Sequence, residues 1–431
     1  MEAIFKMKKL LMLGSSTACR ELVLLARSKG IYTIVTDNLD PQRSKAKLVA
    51  DEYWMISTAD VDLLEEKCRA EGIEAVLCGI SDFNTEKMAE LCKRLNLPCY
   101  CTPEVLVTTA NKYNFKKACH ANGVPVATDY YLSNPPREEE LDSIKFPVVV
   151  KAVDLAGNEG MSYCYNKEDV VTACAYARSL SDDDHVITER MLHGVEYEAH
   201  YVLAEGETSL CCFAAMLPQP GLPANCYGVT TTATNNLQTF LTEVDPYLKK
   251  LLKNIGCHEG VAWFEMIFDE DGHFYILEMG YRMSGDAIEI PLKDASGFDT
   301  IQWLLENSLG TPHSAADLPP ALTRLPDCHV FSYILWSKNS GKVTHDEGIE
   351  EIAAIPGVRV VLTKRTGDSY DQYQYMFMIN FVADDHEKMI ELVKKVNETV
   401  KMEDENGENV LLYYDDFDTM RRMYQEGMKE Q

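Results

Sequence analysis

Apolar and polar residues in the first hundred positions follow two alternating periods. Apolar runs at Lys9–Leu13, Tyr32–Asp37 and Glu74–Gly79 read as buried strands. A helical stretch follows the first run, from Gly14-Ser15-Ser16 to about Lys29, and another follows the third, over Thr85–Leu95, where Met88, Leu91, Cys92 and Leu95 recur at helical spacing. Strand–helix alternation of this kind predicts a parallel sheet with helices on its faces. Phe146–Lys151 and Val186–Glu189 read as further strands, after which Tyr197, Ala199, Tyr201 and Leu203 alternate against Glu196, Glu198 and His200. The segment 217–234 is rich in Pro, Gly and Thr and is expected to be a long, functional loop. Val261–Phe268 and His273–Met279 flank Asp269-Glu270-Asp271-Gly272, and Asp-Gly between two apolar runs is a strong hairpin signal. Pro312 to Pro326 reads as a domain connection. Beyond it, 373–381 alternates as a strand, and Ile390, Val393, Val396 and Val400 mark an amphipathic helix. The last third is thus expected to be a small α+β domain.

Size and charge narrow the reading. The chain has 431 residues, which at ~100–200 residues per domain is two to four domains. Its 41 Lys and Arg against 68 Asp and Glu give a net charge of −27, a poor match to the dense negative charge of nucleic acid. Small anions remain open as ligands, since they need only a few placed cations. No apolar run approaches the ~20 residues that span a bilayer, and Leu10–Leu13 is shorter than the ~7–15 residues of a signal-peptide core. Fourteen cysteines without a CxxC spacing fit buried thiols in a reducing, cytoplasmic setting.

Candidate chemistry concentrates in four places. If Asp271-Gly272 is a two-residue turn, Glu265 falls opposite Glu278; a four-residue turn, 269–272, makes them diagonal neighbours. Both registers put the two carboxylates on one face, which Trp263, Ile267, Phe274 and Ile276 are expected to share. Like charges opposed in a sheet are unfavourable, and paired hard oxygens suit Mg²⁺ held with substrate phosphates. Lys151 ends a buried strand before a loop with Gly157 and Gly160, where glycine lets backbone N–H groups turn toward an anion. Lys112 lies near a helix start. Glu189, Arg190, Met191, Leu192 and Glu196 span a strand–connector–strand suited to an adenine edge and ribose hydroxyls. The Gly14-Ser15-Ser16 turn lacks the further glycines of a dinucleotide site, so it reads as a binding edge for another small ligand.

In this order the four segments resemble the ATP-grasp superfamily of ATP-dependent ligases. The matching residues are Asn111-Lys112, Lys151…Gly157…Gly160, Glu189-Arg190-Met191-Leu192-His193-Gly194-Val195-Glu196, Glu265, and Glu278-Met279-Gly280-Tyr281-Arg282-Met283-Ser284-Gly285. Among members the chain is similar to L-amino-acid ligases and the ligase halves of carbamoyl-phosphate synthases. The resemblance implies an α/β architecture with a Rossmann-like pre-domain (1–105), an ATP-grasp domain (106–320, lid subdomain about 120–205) and a small α+β C-terminal domain (321–431). It implies that Lys112, Lys151, Gly157, Gly160, Glu189, Arg190, Leu192 and Glu196 bind ATP. Glu265 and Glu278 would hold Mg²⁺ or Mn²⁺, with Glu278 bridging two ions. Arg282 would grip the transferred phosphoryl group and the substrate carboxylate, near Ser284, Gly285 and Asp286. Lys151 and Arg282 are the catalytic pair it implies, and a homodimer the assembly.

The implied reaction is carboxylate–amine ligation through an acyl phosphate. Two rivals follow from the same residues: phosphorylation of carbamate or bicarbonate, and an ATP-binding protein with impaired catalysis. The second is motivated by Gly280, where the superfamily usually has the Asn that supplies a further metal ligand. His200 also stands where relatives often carry a different polar residue.

Overall fold

The structure is a computed structural model and describes residues 7–155, 159–219, 222–231, 236–324 and 328–429. Its N-terminal strands β1 (Lys9–Leu13), β2 (Tyr32–Thr36), β3 (Glu52–Trp54) and β4 (Ala75–Cys78) pair in parallel, in the order β3-β2-β1-β4. Helices α1 (Thr17–Ser28) and α3 (Asp82–Leu95) alternate with them as the hydrophobic pattern predicts, and α2 (Val61–Glu71) lies between β3 and β4. β3 and α2 escaped that pattern; a three-residue strand is too short to show a period. Ser16 and Ser81 cap α1 and α3, accepting from Cys19 N at 3.2 Å and Asn84 N at 3.3 Å. Both caps stand at the carboxyl ends of adjacent parallel strands, where open α/β sheets bind their ligands.

Helices α4 (Pro103–Thr109) and α5 (Lys112–Asn122) lead into a small second body. It contains α6 (Glu138–Asp142), β5 (Val148–Ala152), β6 (Ser162–Cys164), α7 (Lys167–Leu180) and β7 (Val186–Arg190). Its antiparallel sheet, β6-β5-β7, has its own core, in which Val148, Val150, Cys164, Val170 and Cys174 are buried.

The central sheet starts with β8 (Gly194–Ala204), β9 (Glu207–Gln219) and β10 (Leu222–Thr230). Helices α8 (Leu237–Glu243) and α9 (Asp245–Ile255) precede β11 (Gly260–Asp269) and β12 (Phe274–Gly280), and α10 (Glu289–Ser296) and α11 (Thr300–Ser308) follow. The last third holds β13 (His329–Ser337), β14 (Gly341–Lys342), β15 (His345–Glu347), α12 (Ile349–Ala353), β16 (Arg359–Thr363) and β17 (Ser369–Tyr370). Then come β18 (Tyr375–Ala383), α13 (His386–Thr399), β19 (Lys401–Glu403), β20 (Leu411–Leu412) and α14 (Phe417–Lys429). The long strands join one antiparallel sheet, β12-β11-β8-β9-β10-β13-β18-β16, with β20 beside β13. Strands of the last third therefore extend the sheet that carries the central segments, and one apolar core runs beneath all of them.

Two expectations change. Most of 217–234 is strand, not loop: β9 and β10 form a hairpin whose register slips between Leu222 and Cys226 and again before Gly228, beside Pro218. Those irregularities absorb prolines that a regular ladder would exclude; residues 220–221 and 232–235 lie outside the described residues. The second change concerns the β11–β12 hairpin. Glu265 does pair with Glu278, but Met266 pairs with Ile276, so Leu277 is a bulge. The extra residue inverts the alternation beyond it. Phe274 and Ile276 consequently turn to the core face, where Phe274 packs on Phe268 with ring centroids 4.8 Å apart, while Trp263 and Ile267 stay with the carboxylates.

Candidate functional site

Three neighbouring strands place three glutamates in one row. Glu278 of β12 lies opposite Glu265 of β11, which lies opposite Glu198 of β8. The next row reads Gly280, Trp263 and His200, and Glu196 stands two residues before Glu198 on the same face. Such like-charge crowding is unfavourable unless something cationic answers it. Burial, then Glu278, Glu196 and Glu198, push the Glu265 carboxyl well above its usual range. Glu196 is pushed up to about 7 by burial, against the pull of Lys151. Neither Glu196 nor Glu265 makes a side-chain hydrogen bond or ion pair among the described residues, and no group of three metal-ligating side chains forms there.

Two lysines close the opposite side. Asn111 caps α5, accepting from Asn114 N at 3.1 Å, and so fixes Lys112 at the helix start. Lys112 Nζ lies 3.2 Å from Glu278 Oε2 and donates to Leu155 O at 2.6 Å; its backbone N donates to Val153 O at 2.8 Å. Lys151 on β5 lies 2.6 Å from Glu189 Oε1 on β7. Burial alone would lower the Lys151 ammonium, yet Glu189 outweighs it and holds it above the usual value. Glu189 also meets Lys116, which bridges to Asp129. Burial would raise the Glu189 carboxyl, but the two lysines bring it down to about 2.

Glycines in these segments answer close approaches. Gly160 has φ +72°, and a Cβ there would stand 2.8 Å from the Ala152 side chain. Gly194, inside the Glu189–Glu196 segment, passes so close to β11 that a Cβ would meet Phe268 O at 1.9 Å. Gly157 lies outside the described residues. Leu192 is half-buried on the connector between β7 and β8. The Arg190 side chain turns the other way, to Asp269 Oδ2 at 2.8 Å and over the Tyr275 ring, so it ties β7 to the β11–β12 turn.

Arg282 follows β12 and is buried. Its Nε donates to Asp82 Oδ1 at 2.6 Å, Nη2 donates to Asp82 Oδ2, and Nη1 donates to Met283 O at 2.8 Å. The guanidinium lies 5.2 Å over the Trp263 ring. Trp263 in turn fills the space above Gly280, where a Cβ would come within 2.3 Å of the indole Nε1. Behind Arg282, Ser284 N and Oγ donate to the two Glu289 oxygens at 2.7 and 2.9 Å, and Ser284 Oγ also reaches Asp286. A Cβ at Gly285 would meet nothing within 4 Å, so packing does not require glycine there. His200 sits between Glu289 and Glu198, each 3.1 Å from a ring nitrogen. An imidazolium, in which both ring nitrogens donate, suits acceptors on both sides. Burial would lower it, but the two glutamates raise it to about 10. Burial, Glu198 and Glu289 lift Asp286 to about 8.

The structure thus brings Lys112, Lys151, Glu189, Glu196, Glu265 and Glu278 within electrostatic reach of one another, with Arg282, Ser284 and Asp286 following the strand that carries Glu278. Sequence reading missed Lys116, Asp129 and Glu289. Lys116 had a signal, one helical turn after Lys112; Glu289 had none, because its role appears only when α10 folds against β8.

Comparisons with known proteins agree with this layout. Residues 111–218 match the family described as carbamoyl-phosphate synthase L chain, ATP binding domain. A formate-dependent phosphoribosylglycinamide formyltransferase of Trichormus variabilis is 30% identical over 199 residues, covering 44% of this chain and 49% of that protein. The chain spans about half the length of this curated relative. In fold it is similar to the L-amino acid ligase of Bacillus licheniformis, with a TM-score of 0.74 at 16% identity over 95% of this chain and 99% of that one. It is also similar to the biotin carboxylase domain of Hydrogenobacter thermophilus 2-oxoglutarate carboxylase, solved as a dimer with MgADP and bicarbonate. There the TM-score is 0.72 at 17% identity, covering 98% of this chain and 94% of that one. The chain has the ATP-grasp fold, with an ATP-binding segment similar to that of the carbamoyl-phosphate synthase L chain over residues 111–218.

Proposed function

We propose that the protein is an ATP- and Mg²⁺-dependent carboxylate–amine ligase that works through an acyl phosphate. The observation that carries this reading is the in-register pair Glu265–Glu278 facing Lys112 and Lys151, with Arg282 at the end of the same strand. The donor set fits a hard divalent cation: two carboxylates in register, one of them raised well above its usual range by burial and by its acidic neighbours. Mg²⁺ bound by Glu265 and Glu278 would draw charge from the phosphoryl oxygens. Glu265 and Glu278 would be its protein ligands, and phosphate oxygens and water would complete its shell.

In the proposed reaction Lys112 and Lys151 hold the phosphates, with the Gly160 turn above them. Glu189, the backbone from Arg190 to Leu192, and Glu196 hold the nucleoside. A substrate carboxylate oxygen attacks the γ-phosphorus, the bond to the bridging oxygen breaks, and ADP leaves with that electron pair. Arg282 neutralises the charge that develops on the phosphoryl oxygens. The amine then attacks the acyl carbon, inorganic phosphate departs, and the amine proton passes to solvent. A free carboxylate would have to expel oxide, which explains the need for phosphorylation. Ser284, Gly285 and Asp286 line the substrate end.

Residues 1–105, 106–320 and 321–431 are the proposed division of labour, the first and second supplying the site. A cytoplasmic homodimer is the proposed form: every cysteine is a free thiol, no helix among the described residues is long and apolar enough to cross a membrane, and the carboxylase-domain neighbour is a dimer. Trp263 over Gly280 favours one second reading, a nucleotide-binding protein with slow turnover, because the indole fills the place of a further metal ligand.

The test is ADP release with ATP and Mg²⁺ across pooled amino acids and small organic acids. Release that depends on one pool and is lost in Lys151→Ala supports the ligase. Tight ATP binding without release in any pool supports the second reading, and absence of ATP binding overturns both.

A further inference from the structure

This inference rests on the ligase reading above and concerns the acid it activates. Arg282, the cation assigned to the reacting carboxylate, is already paired with a carboxylate of this chain. Asp82 takes its Nε and one Nη2 hydrogen, and Met283 O takes one from Nη1. A guanidinium has five N–H donors, so one on each Nη is left for an incoming oxyanion. Trp263 fixes the plane of the group, and its own Nε1–H is buried with no partner. A carboxylate arriving at Arg282 therefore finds unused donors on a rigid support.

Asp82 differs from every other acid of the site. Glu189, Glu198 and Glu289 are buried and answered by lysine or by His200, and Glu265 and Glu278 form the paired row. Asp82 comes instead from the first turn of α3, at the ligand edge of the N-terminal sheet. Its side chain is 42% exposed, against 10% for Arg282. A cation and an anion at hydrogen-bond distance are matched by a ligand bearing the opposite pair one carbon apart. That ligand is the zwitterion of an α-amino acid. A simple carboxylic acid would bring a second negative charge beside Asp82 with only the shared Arg282 to answer both, and a vicinal dicarboxylate would be repelled.

We propose that Asp82 receives the α-ammonium of an amino-acid substrate whose carboxylate lies on Arg282, so that the pair selects α-amino acids over acids lacking the amine. Asp82 is then a specificity residue supplied by the N-terminal body.

The experiment measures ATP binding by calorimetry and ADP release with ATP and Mg²⁺. Release is measured with a pool of the twenty L-amino acids and with the matching des-amino acids, each pool supplied with and without ammonium chloride as a small amine. Expected are release with the amino-acid pool alone and, in Asp82→Asn, a rise of roughly 10²-fold in KM for the active amino acid with KM for ATP unchanged. A merely structural role for Asp82 would move both constants together. Equal release with des-amino acids, release with them alone, or no release from either pool despite ATP binding overturns the assignment without touching nucleotide binding. An unchanged amino-acid KM in a folded Asp82→Asn overturns it as well. Failure to bind ATP overturns the ligase reading itself, and this inference with it.

Discussion

Replacing Glu189 by Gln removes one charge from a buried cluster of four: Lys151, Glu189, Lys116 and Asp129. The pairs Lys151–Glu189 and Lys116–Glu189 are largely shielded from water, so neither lysine can recover hydration when the carboxylate is lost. Two routes give the cost. Breaking a buried ion pair by removing one partner typically costs 3–5 kcal/mol. Independently, the fall of the Glu189 carboxyl from 4.5 to about 2 corresponds to about 3 kcal/mol at neutral pH. The sign is that of a depressed acid: the stabilisation is present above pH 4.5 and disappears as the pH falls toward 2. The assay is denaturant unfolding of the ligand-free protein at pH 7, followed through the segment that contains β5 and β7. Glu189→Gln is expected to lose about 3 kcal/mol. ATP phosphates would then supply the missing negative charge to Lys151, so saturating nucleotide should stabilise the variant more than the wild type. For the wild type, ligand at 100 times Kd adds about 2.7 kcal/mol. Equal midpoints for the ligand-free proteins would refute the reasoning.

Other outcomes follow from single contacts. Lys151→Ala and Arg282→Ala should each lower ADP release roughly 10²–10³-fold, the scale for losing one preorganised charge-stabilising group, as steady-state kinetics will register. Gly280→Asn should destabilise the fold by about 1–3 kcal/mol, because its Cβ meets the Trp263 indole at 2.3 Å, and pairing it with Trp263→Ala should relieve most of that in melting experiments. His200, raised to about 10, stabilises the fold fully below pH 6.5 and progressively less as the pH rises toward 10. Unfolding titrations of His200→Gln should lack that component of the alkaline decline. Mn²⁺ titration followed by electron paramagnetic resonance, with ATP present, should show Glu265→Gln weakening the metal, since half of the carboxylate pair is gone.

Elements with a strong local period were legible in the sequence. β1 was read to the residue, and β2, β4 and α3 were placed within a few. The ordered motifs brought Lys112, Lys151, Glu189, Glu265 and Glu278 into one site before any fold was known. What escaped depends on contacts between distant segments. A one-residue bulge at Leu277 leaves no mark in a pattern of alternating residues, yet it decides that Phe274 and Ile276 face the core. The 217–234 segment misled because its prolines and glycines are turn residues by composition, whereas long neighbours on both sides supply the ladder partners that make it strand. Gly280 read as the loss of a ligand; the fold adds that Trp263, seventeen positions earlier, needs that space. Glu289 had no signal at all, since its partner His200 is far away in the chain.

Every cation assigned to a ligand is paired, in the ligand-free chain, with one of the protein's own carboxylates: Lys112 with Glu278, Lys151 with Glu189, Arg282 with Asp82. At the two lysines binding is therefore an exchange of partners rather than the capture of anions by bare charges, and at Arg282 it is a sharing of one cation. An exchange avoids the large desolvation cost of burying an unpaired cation, because the cation is never unpaired. It also imposes a condition on the acids that are displaced, each of which must find a new cation for the exchange to be favourable. Glu189 keeps Lys116. Glu278 stands in the row that suits a divalent metal, so nucleotide and metal should bind cooperatively, the metal taking the carboxylate that the phosphates release from Lys112. Asp82 makes no second ion pair among the described residues and shares Arg282 with the incoming carboxylate, so a positive group on the same molecule would balance the added charge. Charge balance thus couples phosphate and metal at the lysines, and at Arg282 it favours a carboxylate that carries an ammonium.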